Sequence, residues 1–226
     1  LQRYGSAEAL GLRRYGFHGI SYASLVRKVQ EIGGNQLPQR LLAFHLGNGA
    51  SACAIRDGQS VASTMGYSPL DGLTMGTRTG SIDGNAVLRL AEVHGVAGAA
   101  RILNRESGLL GLGGSSDMRA LQESDSTEAA FARQHFCYWA VRHAGSMIAA
   151  MGGLDAIVFG CGSSGTMTGL SRCFAKDAPN VELVLADPVG SILAEYINDG
   201  VLNDKSGSWM VEGIGEDFLP GISDFS

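Results

Sequence analysis

Short apolar runs, glycine-containing turns and helical patterns alternate along this chain of 226 residues. The run RLLAFHL at 40–46 has the length and composition of a buried strand. Directly after it, SACAIRDGQSVAST alternates between apolar and polar residues on both sides of Asp57-Gly58, a pair typical of tight hairpin turns. This part of the chain therefore predicts a strand followed by a β-hairpin.

Helical patterns surround these strands. One helix is predicted from Ser21, a residue suited to the N-cap, to about Ile32. A second is predicted over NAVLRLAEVHG at 85–95, followed by a short helix, and a long one runs from about 126 to 151. The long helix leads into the apolar strand DAIVF at 155–159. The order of these elements indicates an α/β chain.

Beyond Phe159 the chain changes to the strand–helix alternation that builds parallel sheets. Strands are predicted over 180–188 (NVELVLADP) and 208–215 (SWMVEGIG), and helices over 166–177 and 189–199. No linker composition precedes this part, so a boundary here would lie inside a strand–loop–helix unit.

Composition narrows the classes of function. The net charge is −5, which excludes the basic surface that nucleic acid or an anionic membrane would attract. The four cysteines lack C-x-x-C spacing, so no zinc site and a reduced, cytoplasmic chain are expected. The most apolar stretch, 144–161, is interrupted by two glycines and an aspartate, which is untypical of a membrane span. We expect a soluble chain without a metal site.

Two glycine-containing loops carry residues suited to phosphate chemistry. His45 is followed by Gly47-Asn48-Gly49, where backbone N–H groups at a tight turn can contact phosphate oxygens. A plain hairpin turn is the alternative explanation. Arg78 in MGTRTGSIDG offers several N–H donors, which can neutralise a phosphoryl group during transfer. The alternative is a solvated loop arginine.

Two further motifs are open to more than one interpretation. His18 in YGFHG can donate a hydrogen bond to a phosphoryl oxygen, or can be a partly buried structural histidine. GGSSDMR places Asp117 and Arg119 after a glycine turn, where they can contact a ribose and base. Asp117 can equally be the N-cap of a helix.

Five motifs occur in one order: RRYGFHGIS, FHLGNGASACAI, STMGYSPLDGLTMGTRTG, ESGLLGLGGSSDMR and MGGLDAIVF. Residues 1–159 thereby resemble the middle and C-terminal part of an acetate kinase. The resemblance implies a mixed sheet with flanking helices, as in sugar kinases and actin. It also implies phosphoryl transfer between ATP with Mg²⁺ and acetate or a similar short carboxylate, in a homodimer.

The resemblance also assigns roles to individual residues. It implies that His18 and Arg78 are catalytic and stabilise the transferring phosphoryl group. The residues it places at the nucleotide are His45, Gly47, Asn48, Gly49, Asp117, Met118 and Arg119. The family's N-terminal half supplies further active-site residues that this sequence does not contain. The family's final glycine loop, GGIGEN, and its TNEE motif are also replaced, which predicts weak activity or none.

Residues 160–226 are similar instead to a segment of cystathionine β-synthase and cysteine synthase, enzymes that use pyridoxal phosphate (PLP). The similarity is carried by GCGSSGTMTGLSR, LADPVGSILAEY and SWMVEGIGEDF. It implies a loop for the phosphate of PLP or ATP at Gly160, Gly162, Ser163, Ser164, Gly165 and Thr166. Neither Lys176 nor Lys205 matches the Schiff-base motif, so PLP would lack its covalent link. The G-x-G-x-x-G in this loop therefore does not indicate a nicotinamide site.

The sequence thus predicts a chimera of 1–159 and 160–226, with three alternatives for function. The first is a weakly active or inactive acetate-kinase-like phosphotransferase. The second is a nucleotide- or phosphate-binding protein without catalysis. The third is a fragment of a PLP-dependent β-replacement enzyme.

Overall fold

A computed structural model describes residues 9–160, 176, 180–187, 189–202 and 207. Within these ranges the elements are α1 (Gly19–Ile32), β1 (Arg40–Leu46), β2 (Ala50–Arg56), β3 (Gln59–Ser63), α2 (Gly84–Arg105), α3 (Gly108–Gly113), α4 (Met118–Glu123), α5 (Thr127–Met151), β4 (Ala156–Gly160), β5 (Glu182–Ala186) and α6 (Leu193–Asp199). The chain is therefore α/β, as its pattern predicts.

The strands form one mixed sheet in the order β3-β2-β1-β4-β5. β1 runs parallel to β4, with Leu41 opposite Ala156, and β4 runs parallel to β5, with Ile157 opposite Leu183. Only residues 47–49 separate the neighbouring strands β1 and β2. Since a parallel connection needs a dozen or more residues, β1 and β2 are antiparallel.

The predicted hairpin is confirmed. Asp57 and Gly58 join β2 to β3 with φ angles of 52° and 76°, the pair of positive values that a type I′ turn requires. β2 is buried along all but its last residue, whereas β3 is mostly exposed at the edge of the sheet. The alternating pattern of β2 therefore does not indicate a solvent-facing side.

The helices differ from prediction mainly at their ends. α1 begins at Gly19, so the prediction that Ser21 is its N-cap is wrong. The helix predicted over 85–95 and the short helix predicted after it form one element, α2, which is interrupted at Gly95 by non-helical φ and ψ angles of 70° and 165°. α5 follows Ser126, whose Oγ accepts a hydrogen bond from the backbone N of Ala129 at 3.1 Å. This is N-cap geometry, and the predicted start of the long helix is confirmed.

In the C-terminal part, β5 and α6 match the predicted strand and helix at 180–199. The predicted strand at 208–215 lies outside the described residues, as does the helix at 166–177 apart from residue 176. No helix in the described part of the chain combines the length and apolarity needed to cross a bilayer.

The chain divides into two compact units, and each is made of separate segments. The first unit consists of Leu1–Ile20, Gly49–Ala52 and Ser63–His143. The second consists of Ser21–Asn48, Cys53–Ala62 and Ala144–Ser226. The predicted domains 1–159 and 160–226 stay a prediction.

The second unit has a core between the sheet and α1. Leu41 and Ala43 of β1, Cys53 and Ile55 of β2, and Ala156 and Val158 of β4 are buried together with Tyr22 of α1. Further apolar side chains of α1, such as Val29, pack against the same cluster. Burial of apolar surface therefore holds α1 against this face of the sheet.

An ion pair joins the beginnings of the two central strands. The carboxylate of Asp155 accepts hydrogen bonds from the backbone N of Arg40 at 2.8 Å and from its Nε at 3.0 Å. The hydrogen bonds from Arg40 hold the pKa of Asp155 below its ordinary value. Asp155 thus stays ionised near neutral pH and fixes where β4 begins beside β1.

Replacing Leu41 should weaken folding strongly. Its side chain is fully buried in the core of the second unit, so Leu41→Ala removes apolar contacts and leaves a cavity. We expect a loss of about 2–5 kcal/mol in the free energy of unfolding, measured by urea denaturation. The matched control is Leu88→Ala, because Leu88 is 63% exposed, and its effect should stay within ~0.5 kcal/mol. Equal effects would contradict this core.

Candidate active site

The two predicted catalytic side chains of the first unit approach the same glycine. A Cβ atom added to Gly49 would lie 3.0 Å from Nη1 of Arg78 and 3.7 Å from Nε2 of His18. Both side chains are half-buried. The structure therefore brings His18, Arg78 and Gly49 together, although 60 residues of sequence separate His18 from Arg78.

Ser51 orients the imidazole of His18. Its Oγ lies 2.7 Å from Nδ1 of His18, and Ser51 is completely buried on β2. His18 has a φ angle of 61°, in the left-handed region that is uncommon for residues other than glycine. With Nδ1 bonded to Ser51, Nε2 is the ring nitrogen that faces Gly49. Ser51 is not among the residues predicted from the sequence, although its position two residues after Gly49 could have indicated it.

Arg78 lies in the loop 64–83 between β3 and α2, which is called the Arg78 loop below. Its guanidinium is held against this loop. Nη1 donates to the carbonyl O of Pro69 at 3.1 Å and lies 3.9 Å from Sδ of Met75. The backbone N of Met75 also donates to the carbonyl O of Arg78 at 3.2 Å, which closes a tight turn. Met75 therefore contacts Arg78 through both its side chain and its backbone.

Ser107 and the first turn of α3 hold this loop in place. The backbone N atoms of Ser107, Leu109 and Leu110 donate to the carbonyl O atoms of Thr77, Met75 and Gly76 at 2.9–3.0 Å. Gly108, with a φ angle of 63°, lies so close that a Cβ atom there would be 2.7 Å from the carbonyl O of Arg78. Only glycine permits this approach.

An open groove lies beside the two side chains that are predicted to be catalytic. Its volume is about 620 Å³, and its lining residues are Tyr15, Gly16, Phe17, Tyr67, Ser68 and Pro69. Phe17 precedes His18 in the chain, and the carbonyl of Pro69 accepts the hydrogen bond from Arg78. The rings of Tyr15 and Tyr67 lie 6.2 Å apart. The groove therefore offers an apolar surface next to a cation.

In the second unit, His45 lies near the end of β1, and Gly47 and Asn48 follow it in the turn to β2. Nδ1 of His45 lies 3.0 Å from Oγ of Ser21, so this serine lies within α1 and contacts His45 instead of capping the helix. Burial lowers the pKa of His45, so its imidazole is neutral at pH 7. The G-N-G motif is thus a tight turn, and its contact with phosphate stays a prediction.

Asp117, Met118 and Arg119 lie at the start of α4. Oδ1 of Asp117 accepts a hydrogen bond from the backbone N of Arg119 at 2.9 Å, so Asp117 is the N-cap that the alternative interpretation predicts. All three lie at the surface, where Asp117 and Arg119 are exposed. Their contact with a nucleotide stays a prediction.

Of the predicted phosphate loop, only Gly160 is described, at the end of β4. Gly162, Ser163, Ser164, Gly165 and Thr166 lie outside the described residues, as does Lys205. Lys176 is exposed. In the part of the chain that the structure describes, no group of three or more His, Cys, Asp or Glu residues could hold a metal ion.

A sequence model of the Acetokinase family matches residues 3–181. The chain belongs to the acetokinase family. It is 50% identical over 158 residues to an acetate kinase of Methylocella silvestris, which covers 69% of this chain and 39% of that protein. It is 38% identical over 205 residues to an acetate kinase of Rhodopseudomonas palustris, covering 89% of this chain and 52% of that one.

Solved structures of the acetokinase type share the fold. Porphyromonas gingivalis acetate kinase matches with a TM-score of 0.70 at 31% identity, covering 95% of this chain and 52% of that one. A Francisella tularensis propionate kinase matches with a TM-score of 0.71 at 28% identity, covering 81% of this chain and 55% of that one. The chain therefore spans about two fifths to about half of the relatives it matches.

The family match also bears on the residues after Phe159. It continues to residue 181, across the G-x-G-x-x-G loop, and the alignment with the Rhodopseudomonas palustris relative covers 89% of the chain. These matches give no support to a separate PLP-enzyme segment or to a chimera.

Replacing Gly108 should disturb the Arg78 loop. Alanine there needs a left-handed backbone and overlaps the carbonyl O atoms of Met75 and Arg78. We expect Gly108→Ala to lower the free energy of unfolding by roughly 2–5 kcal/mol, measured by thermal and urea unfolding. The control is Gly84→Ala, because a Cβ atom on Gly84 meets no atom within 4 Å. A harmless Gly108→Ala would show that this close approach is absent.

Proposed function

We propose that the chain supplies an acetokinase-type site for phosphoryl transfer between ATP and a short carboxylate. The observation that carries the proposal is the approach of His18 and Arg78 to Gly49. Two nitrogen donors directed at one small region suit the charged oxygens of a phosphoryl group in transit.

The two side chains would act by electrostatics and positioning. The planar guanidinium of Arg78 can donate two parallel hydrogen bonds to phosphoryl oxygens. His18 would donate from Nε2, in the tautomer in which the hydroxyl of Ser51 donates to Nδ1. Neither group needs to form a covalent intermediate, because phosphoryl transfer depends mainly on alignment and charge neutralisation.

The groove supports a short carboxylate as the second substrate. Its carboxylate would lie toward Arg78, and its alkyl part would lie against Phe17 and Pro69. Apolar contact of this kind adds about 0.8 kcal/mol per buried methylene. Propionate has one methylene more than acetate, so its binding free energy at this surface would be more favourable by about 0.8 kcal/mol.

For the nucleotide, the proposal keeps the predicted residues, namely His45, Gly47, Asn48 and Gly49 for the phosphates and Asp117, Met118 and Arg119 for the adenosine. Mg²⁺ would arrive on the ATP phosphates. The homodimer and the phosphate loop at 160–166 remain part of this proposal.

Nucleotide binding without catalysis is the second candidate, and it predicts binding of Mg·ATP with no turnover. A PLP-binding fragment at 160–226 is a third possibility that rests on sequence similarity alone. It predicts a visible absorbance band after incubation with PLP that borohydride abolishes, which phosphoryl transfer does not.

Mg·ATP should raise the melting temperature of the chain. At 100 times its dissociation constant, a ligand adds ~2.7 kcal/mol, which corresponds to about 5–10 °C for a chain of this size. Gly49→Ala should remove most of this shift, because its methyl group displaces Arg78 and narrows the space at His18. Gly84→Ala is the matched control and should keep the shift. A shift that both variants keep would exclude binding at Gly49.

Formation of acetyl phosphate from acetate and ATP tests catalysis directly. Arg78→Ala should lower kcat by roughly 10³-fold or more, because it removes the charge that offsets the phosphoryl oxygens. Its melting temperature without ligand should stay near that of the wild-type chain. Binding of Mg·ATP without any turnover by the wild-type chain would favour the second candidate.

A further inference from the structure

Helix α5 carries a hydrogen-bonded pair of rings outside the proposed site. Nε1 of Trp139 donates to Nε2 of His135 at 3.1 Å, one helical turn apart. On the other side of the imidazole, Nδ1 lies 3.0 Å from Oγ1 of Thr74. Both ring nitrogens of His135 are thus engaged, one with its own helix and one with the loop that precedes Arg78.

These contacts define the protonation state of His135. An indole N–H can only donate, so Nε2 of His135 must be the acceptor and carry no proton. The proton of the neutral ring therefore resides on Nδ1, which donates to Thr74. Adding a second proton at Nε2 would direct an N–H at the N–H of Trp139 and break that hydrogen bond.

Thr74 connects this pair to Arg78. It is only 2% exposed, and the next residue is Met75, whose backbone and Sδ both contact Arg78. Ser107 and Leu109 hold the loop from the side of α3, and His135 holds it from the side of α5. Of these contacts, the one from His135 on α5 is the one that can gain a proton near neutral pH.

We propose that neutral His135 is a positioning residue for Arg78, and that its protonation in mild acid breaks the hydrogen bond from Trp139 and so releases the imidazole from the orientation in which it holds Thr74. The proton comes from solvent and goes to Nε2, and no covalent bond changes. The proposal rests on the proposed function only in the role it gives Arg78.

The surroundings of His135 favour its neutral form. The ring of Phe131 lies 5.9 Å away and that of Trp139 6.2 Å away, and burial lowers the pKa of His135. One turn further along, His143 stacks on Trp139 and faces Asp71 and the backbone of Gly72, and burial also lowers its pKa. Arg142 lies 4.6 Å over the Trp139 ring.

The direction of the pH effect follows from the lowered pKa. Between the folded-state pKa and the unfolded value of about 6.5, the unfolded chain binds more protons. The contribution of His135 to stability is therefore complete above about pH 6.5 and declines as the pH falls through this window. Protonation of His143 would lower the stability over the same pH range, so its effect must be separated from that of His135 by mutation.

His135→Gln provides a matched variant that cannot titrate. Its amide can donate to Thr74 and accept from Trp139, as the neutral imidazole does. Fluorescence of Trp139 reports protonation, because an imidazolium beside an indole quenches it. The titration runs from pH 8 to pH 5 in a Trp209→Phe, His143→Gln background, since the chain has two tryptophans and His143 also stacks on Trp139. We expect quenching with a midpoint below about 6.5, which the addition of His135→Gln abolishes.

The side-chain Nε–H resonance of Arg78 then tests positioning. It is assigned by comparison with Arg78→Lys and followed by NMR over the same pH range. We expect it to shift with the same midpoint as the fluorescence, and to stay constant in His135→Gln. A constant resonance in the wild-type chain, or the same shift in His135→Gln, would overturn the proposal. Neither result depends on ATP, so failure of the proposed function is recognised separately by the missing Mg·ATP shift.

A second variant tests the hydrogen bond from Trp139 to His135. Trp139→Phe removes the donor and keeps an aromatic ring, so His135 is no longer held at Nε2. At pH 8 we expect about fivefold weaker Mg·ATP binding than in the wild-type chain, the equivalent of one hydrogen bond. His135→Gln should bind as the wild-type chain does at this pH. Unchanged binding in Trp139→Phe would contradict an effect of the pair on the site.

Discussion

The parallel pairing of β1 with β4 determines at which edge of the sheet these strands end. The two strands are held at their beginnings by Arg40 and Asp155, which are 115 residues apart in sequence. Because β5 is parallel to β4, all three strands end at the same edge of the sheet. Leu46, Gly160 and Ala186 therefore lie at one edge, where α/β sheets commonly bind ligands.

Features with a local cause could be predicted from the sequence. Asp57-Gly58 specifies its turn by backbone conformation alone, and Ser126 caps α5 within its own helix. Features that depend on distant contacts could not. Ser21 resembles an N-cap, yet it bonds to His45, and the burial of Ser51 against His18 appears only when β2 has its neighbours. In the site, the motif order indicated His18 and Arg78, whereas their approach to Gly49 needed the fold.

The residues after Phe159 show why short motifs are weak criteria in α/β proteins. An apolar strand, a glycine loop and a helix recur in nicotinamide-, PLP- and ATP-binding folds, because each folds a parallel strand back onto a sheet. The sequence GCGSSGTMTGL fits all three by residue type. The family match covers residues 3–181, including this loop, and a match of that length is a stronger criterion than any single loop.

The break at Gly95 gives the two parts of α2 different roles. The buried residues of this helix, Ala99 and Leu103, both follow the break, and the carbonyl O of Leu103 accepts from the backbone N of Thr79 at 3.0 Å in the Arg78 loop. No residue before the break is buried. Amide hydrogen exchange can therefore be fast over 84–94 while the second part remains protected. Local unfolding of the first part would leave the support of Arg78 intact.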